Sequence, residues 1–90
     1  MASVRNLKRD INYVLGDIIE AVYIWELTNP EKDTKKSQAI IDDAITTFDD
    51  LIVKVNDRSV ANADKKAHFK AVNQDLEKNG RKLIDKINAL

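Results

Sequence analysis

Two carboxylates stand in the most apolar stretch of the chain, where they are well placed to do chemistry. Asp17 and Glu20 are three residues apart, and Tyr13 precedes Asp17 by four, so helical spacing allows all three to meet. Buried carboxylates often have raised pKa values and often mark functional sites. This spacing indicates a polar ligand pocket. The alternative, which the sequence favours, is that Asp17 and Glu20 border a contact surface and pair with Lys or Arg of another chain.

Metal chemistry has little support in the sequence. His68 is the only histidine, and Asp64 lies four residues before it. Together they would supply at most half of the ligands that a metal site needs. We expect His68 to make a local hydrogen bond at the boundary of the core. The aspartate pairs at 42–43 and 49–50 form an acidic helix surface, since no EF-hand loop is present to surround Ca²⁺. The sequence predicts no metal and no cofactor.

The sequence lacks the motifs that would predict an enzyme. It contains no cysteine, no Gly-x-Ser-x-Gly elbow and no glycine loop for phosphate. We therefore expect a non-enzymatic protein without catalytic residues. The start of the chain leads into charged helical sequence without the apolar core of a signal peptide, and Asp17 and Glu20 interrupt the main apolar run. We expect a cytoplasmic protein that does not enter a membrane.

Apolar residues recur at intervals of three and four in three segments, which predicts three long helices. Helix 1 is expected at about 3–28, with Ser3 as N-cap and Pro30 as its end. Helix 2 starts either at Pro30, with Asn29 as its cap, or at 34 with Asp33 or Thr34 as its cap, and it runs to 56. Helix 3 is expected at about 62–89. Short connections favour an all-α, up-down-up bundle of three long helices, a single domain over residues 1–90.

One stripe of each helix is expected to form the core. The stripe of helix 1 comprises Val4, Leu7, Ile11, Val14, Leu15, Ile18, Val22 and Trp25. The stripe of helix 2 comprises Ile41, Ala44, Ile45, Phe48, Leu51, Ile52 and Val55. The stripe of helix 3 comprises Phe69, Val72, Leu76, Leu83, Ile87 and Leu90. Gly80 interrupts this last stripe, and we expect it to let Trp25 or Phe48 pack closely, in preference to forming a kink.

Helix 1 carries further apolar residues away from its core stripe, in a set that we call the outer face. The outer face comprises Tyr13, Gly16, Glu20, Tyr23, Ile24 and Leu27. A helix that is apolar nearly all round is buried nearly all round, and two other helices cover only one side. We predict that the outer face associates with a second copy to form a helical dimer, with Gly16 allowing a close approach. Another protein partner is the alternative.

Charge is distributed unevenly between the second and third helices. Residues 29–57 hold four basic and seven acidic side chains, and residues 58–90 hold eight basic and four acidic ones, although the whole chain has a net charge of +0. We expect ion pairs between the two helices. Helix 3 could instead bind an acidic partner or nucleic acid. Zero net charge disfavours nucleic acid, as does the lack of aromatic residues between its lysines apart from Phe69 of the core stripe.

The sequence therefore favours a non-enzymatic interaction module that self-associates through helix 1. The first alternative is a bundle that binds a small ligand through Tyr13, Asp17 and Glu20. The second is a protein that binds an acidic partner or nucleic acid through basic helix 3.

Overall fold

Three α-helices pack against one another in the computed structural model, which describes residues 4–57 and 59–90. The helices are α1 (Val4–Thr28), α2 (Lys35–Val55) and α3 (Lys65–Asn88), and a short 3₁₀ turn (Asn62–Asp64) leads into α3. Contacts join the end of α1 to the start of α2 and the end of α2 to the start of α3. The described part of the chain is therefore an all-α, up-down-up bundle, as the spacing predicted.

The end of α1 is closed by Asn29. Its backbone N–H donates to the carbonyl of Trp25 (3.0 Å), and its side-chain Nδ2 donates to the same oxygen (2.9 Å). These bonds satisfy a carbonyl that a helix end leaves without an intrahelical partner. The prediction that Asn29 caps a helix starting at Pro30 was therefore wrong, because Asn29 completes the preceding helix. The predicted cap of α1, Ser3, lies outside the described residues.

The start of α2 is the later of the two predicted starts. Its N-cap position is Thr34, whose side chain makes no capping hydrogen bond. The carboxylate of Asp33 instead accepts the backbone N–H of Lys35 at 2.9 Å. The side chain of Asp33, one residue before the N-cap position, thus accepts a backbone N–H of the first turn that has no partner within the helix.

A polar contact fixes α2 against α1. Glu26 near the end of α1 accepts hydrogen bonds from the hydroxyl of Ser37 (2.9 Å) and from Nε2 of Gln38 (2.9 and 3.1 Å). Ser37 is fully buried, so its hydroxyl needs a partner inside the protein. The Glu26 carboxylate also lies near the start of α2, where the helix dipole favours negative charge.

The core contains most of the residues that the three stripes predicted. The buried apolar side chains are Leu7, Ile11, Leu15, Ile18, Val22, Ile40, Ile41, Ala44, Leu51, Val55, Val72, Leu76 and Leu83. Ile45 and Val4 were wrongly placed in the core, since both are exposed. Ile40 is buried although the helix 2 stripe omitted it. Trp25 is only partly buried, near the end of α1.

Gly80 lies where α3 packs closely against α1. A Cβ at this position would lie 3.2 Å from Cγ1 of Val14 and 3.9 Å from Cδ1 of Ile18. The expected close packing is confirmed, but the neighbours are Val14 and Ile18, and not Trp25 or Phe48. No described glycine has a positive φ. Gly80 is therefore needed for the close approach of α3 to α1 and not for an unusual backbone conformation.

The bundle is a rod. It measures 53 × 19 × 16 Å, and its radius of gyration is 15.0 Å, whereas a compact chain of this length has about 12 Å. Among the described residues, no helix combines the length and the apolar character needed to cross a membrane.

Candidate functional site: the outer face of helix α1

The four large apolar side chains of the outer face are exposed to solvent. Their exposed fractions are 60% for Tyr13, 51% for Tyr23, 53% for Ile24 and 79% for Leu27. Among the described residues, eight large apolar side chains are exposed, and these four make up half of them. The other four are distributed over all three helices.

Helical geometry places the outer face on a single stripe. At 3.6 residues per turn, its six residues fall within an arc of roughly 100°, on the side opposite the buried stripe of Leu7, Ile11 and Leu15. The stripe from Tyr13 to Leu27 is roughly 21 Å long at 1.5 Å per residue. The outer face is therefore continuous along the middle and end of α1.

Gly16 forms a notch in this stripe. A Cβ added at Gly16 would meet nothing within 4 Å, so the backbone of α1 is open to approach from outside. Gly80 differs in this respect, because a side chain at that position would be too close to a side chain of the same protein molecule. The space at Gly16 is available to a side chain of a bound molecule.

The predicted polar site does not lie in a buried pocket. Asp17 and Glu20 are both exposed, as is Tyr13. The ligand hypothesis depended on burial of these carboxylates, and the structure does not provide it. Glu20 lies at the centre of the outer face and Asp17 at its edge, whereas the alternative interpretation placed both at the border of a contact surface.

A shallow groove runs beside Tyr13, between α1 and α3. It has a volume of about 440 Å³, and its apolar lining includes Val14, Gly80 and Ile84. Ile84 is half exposed, and the helical period alone did not predict that it lies near Tyr13. The groove extends the apolar surface of the outer face sideways onto α3.

Histidine and carboxylates do not assemble into a metal site in the described part of the chain. No group of three or more His, Cys, Asp or Glu side chains is close enough to hold an ion there. His68 is half buried, and its Nε2–H donates to the carbonyl of Lys54 at 2.6 Å. His68 is thus hydrogen-bonded at the boundary of the core, but the expected local bond was wrong, because the observed one joins α3 to the last turn of α2.

Asp57 in the turn after α2 is held in its ionised form. The hydroxyl of Ser59 donates to Oδ1 of Asp57 at 2.6 Å, and the backbone N–H of Ser59 donates to the same oxygen at 2.9 Å. These hydrogen bonds, with a smaller effect of His68, lower the pKa of Asp57 below its ordinary value of 3.8. They stabilise the turn above that pH, and the stabilisation is lost as the pH falls through the lowered pKa.

Replacing Ser59 by alanine is expected to raise the pKa of Asp57. The substitution removes the hydroxyl donor, which has the largest effect, and keeps the backbone donor. A titration of the Asp57 carboxyl carbon by NMR would measure the change. His68→Ala is the comparison and should raise the midpoint less. An unchanged midpoint in Ser59→Ala would show that the hydroxyl does not lower this pKa.

Two ion pairs join α2 and α3, but only one has the predicted polarity. Lys86 on α3 lies 2.8 Å from Asp43 on α2, as the charge distribution suggested. Lys54 on α2 lies 3.1 Å from Asp75 on α3, which is the reverse arrangement. All four side chains are largely solvated, so each pair contributes at most about 1 kcal/mol to stability.

The basic residues of α3 are exposed among acidic ones. Lys78, Arg81 and Lys82 line a shallow groove of about 350 Å³ together with Glu77 and Asp85. Because Glu77 and Asp85 flank the three basic side chains, acidic groups interrupt the positive charge of this groove, whereas phosphate backbones bind to a continuous positive stripe.

The outer face of α1 differs from these polar surfaces because four of its six residues have large, exposed apolar side chains. No protein-family model, curated protein or solved structure matches the chain. Within the described residues, the outer face combines exposed aromatic and aliphatic side chains with an open notch at Gly16. It is therefore the candidate functional site.

Proposed function

We propose that this protein is a non-enzymatic interaction module that self-associates through the outer face of α1. The observation that carries the proposal is the single stripe on which Tyr13, Tyr23, Ile24 and Leu27 are all at least half exposed. Exposed apolar patches of this kind mark interaction sites in folded proteins. A second copy is the simplest occupant, because a twofold interface pairs one such surface with itself.

The total accessible surface supports an interface of ordinary size. The chain exposes 6420 Å², whereas a compact monomer of 10.2 kDa exposes about 5300 Å². The excess of about 1100 Å² reflects the elongated shape of the bundle, and it is larger than the roughly 800 Å² that each partner buries in a stable complex.

The energy available is sufficient for a moderate affinity. Full burial of a large apolar side chain is worth about 1.5–3 kcal/mol, and the four side chains of the outer face are already partly covered. Two copies together would gain on the order of 10 kcal/mol. Association costs an estimated 4–15 kcal/mol, so at the lower end of that range about 6 kcal/mol remains, and we expect a dissociation constant of about tens of micromolar.

Sedimentation equilibrium over a concentration series tests the proposal directly. The expected result is a mass that rises from that of one 10.2 kDa chain to about twice that value. The rise should occur at concentrations of about tens of micromolar. A mass of one chain at all concentrations would contradict self-association, and the outer face would then be available for a different protein.

A further inference from the structure

We infer that Asn79 is a site of spontaneous deamidation, and that the packing of α3 against α1 keeps it unreactive until α3 opens at Gly80. The inference does not depend on the proposed self-association. It rests on the pair Asn79-Gly80 and on the place of this pair in the fold.

The pair Asn79-Gly80 favours a reaction between its own side chain and its own backbone. The backbone nitrogen of Gly80 loses its proton to water and attacks Cγ of Asn79. A C–N bond forms, the bond from Cγ to Nδ2 breaks, and the side-chain nitrogen takes up a proton and leaves as ammonia. Water then opens the resulting succinimide ring to give aspartate or isoaspartate. Glycine favours the attack because it has no Cβ to hinder its nitrogen.

The fold itself requires glycine at the position after Asn79. A Cβ at Gly80 would lie 3.2 Å from Cγ1 of Val14, so a larger residue would disturb the contact between α3 and α1. The chain contains seven other asparagines, and none of them is followed by glycine. The close approach of the two helices therefore comes with one reactive asparagine.

The closed bundle prevents the attack. Asn79 and Gly80 lie inside α3, where the N–H of residue 80 donates to the carbonyl of residue 76 and is not free to react. Closing the succinimide ring also requires a ψ of Asn79 outside the helical range, which is centred near about −42°. Gly80 is buried and Asn79 is half buried. The reaction therefore requires that this part of α3 leaves the helical conformation.

The turn that carries Asn79 has little apolar packing of its own. Leu76 and Leu83 are buried on either side of it, but residues 77–82 contain no apolar side chain. Glycine is also a poor helix former. Segments with few buried apolar contacts open more readily than the whole fold. The shallow groove beside Tyr13 reaches Gly80, so water has access to the turn when it opens.

The modification hinders the return of α3 to its closed form. Isoaspartate carries the main chain through its side chain and adds one carbon to the backbone. The helical hydrogen bonds on the two sides of residue 79 then no longer align. The close contact of Gly80 with Val14 depends on that alignment. We therefore expect the isoaspartyl form to lose the packing of α3 against α1 at this point.

Mass spectrometry of the whole chain, incubated either folded or in concentrated guanidinium chloride, tests the reactive site and its protection. Cleavage after Glu77 releases residues 78–90, whose mass changes when the NH₂ group of Asn79 is replaced by OH. In the unfolded chain, Asn79 should react at least about ten times faster than Asn73, which is followed by Gln74. In the folded chain, the rate at Asn79 should be lower by at least about a hundredfold.

Asn73 is the matched internal control because it also lies in α3 and is also half buried. Equal rates at Asn79 and Asn73 in the unfolded chain would overturn Asn79 as a reactive site. Equal rates at Asn79 in the folded and unfolded chains would overturn its protection by the bundle.

Val14→Ala tests whether opening of α3 controls the reaction. This variant removes the side chain that lies against Gly80, and it should raise the rate at Asn79 in the folded chain by roughly three- to tenfold. Val53→Ala, on the exposed side of α2, is the control and should leave the rate unchanged. Circular dichroism checks that the helices of both variants remain.

Low concentrations of guanidinium chloride provide a second test that needs no variant. Denaturant favours opened forms, so the rate at Asn79 should rise while circular dichroism still reports a folded chain. An unchanged rate, both in Val14→Ala and at these concentrations, would overturn the control of the reaction by α3.

Discussion

Replacing Ile24 by aspartate is expected to convert the proposed dimer into a folded monomer. Ile24 is 53% exposed in the single chain, so the change costs little in the fold. In a twofold dimer the substitution occurs twice. About half of Ile24 is already covered in the single chain, so each copy loses about 1–1.5 kcal/mol of apolar burial, and the new carboxylate adds the cost of removing a charge from water. The dissociation constant should therefore rise by more than about a hundredfold. Sedimentation equilibrium measures the mass, and circular dichroism confirms that the helices remain.

Val53→Asp provides the matched control. Val53 is also a β-branched residue and is 69% exposed, but it lies on α2 and not on the outer face. This variant should keep the self-association of the unmodified chain. If Ile24→Asp remains dimeric, or if Val53→Asp weakens the dimer equally, the interface does not lie on the outer face.

The second large effect is expected at Gly80. Valine at this position would bring its Cβ to 3.2 Å from Cγ1 of Val14, and its two methyl groups would need further space between α1 and α3. Overfilling a packed core costs about 1–3 kcal/mol, which outweighs the gain of less than about 1 kcal/mol from removing a helical glycine. We expect a fall in the free energy of unfolding of about 2 kcal/mol, measured by urea denaturation.

Gly16→Val is the control that measures the effect of helix propensity on stability without the effect of close packing. Both glycines lie inside long helices, but a Cβ at Gly16 meets nothing within 4 Å. The same substitution should therefore raise the free energy of unfolding slightly, by a few tenths of a kcal/mol. The free energy of unfolding should be measured at concentrations where the chain is monomeric. Equal effects at the two glycines would contradict the close approach at Gly80.

The helices and most of the core could be predicted from the sequence because the apolar spacing is regular. Leu7, Ile11 and Leu15 follow the helical period and are buried. The start of α2 could not be fixed in this way, since residues 29–37 contain no apolar side chain. In this segment the start of α2 depended on which polar side chain formed which hydrogen bond. Asn29 formed its hydrogen bonds with the end of α1.

The candidate site was predictable in part. Tyr23 and Ile24 project away from the core stripe on a helical projection, and the structure exposes both. Burial of Asp17 was not a sound expectation, because sequence neighbours on a helix point about 100° apart and do not enclose one another. Ile84 and the Lys54 partner of His68 depend on contacts between helices, which the helical period alone does not specify.

The order of the helices also governs how quickly the bundle forms. Connections of residues 29–34 and 56–61 join each helix to the one that it packs against next, and the third helix closes on the first through Gly80. Such a chain makes mostly local contacts, so little loop entropy is lost before favourable packing is gained. Helical bundles of this low contact order fold in about microseconds to milliseconds. The monomer would thus be complete long before two copies meet at micromolar concentration.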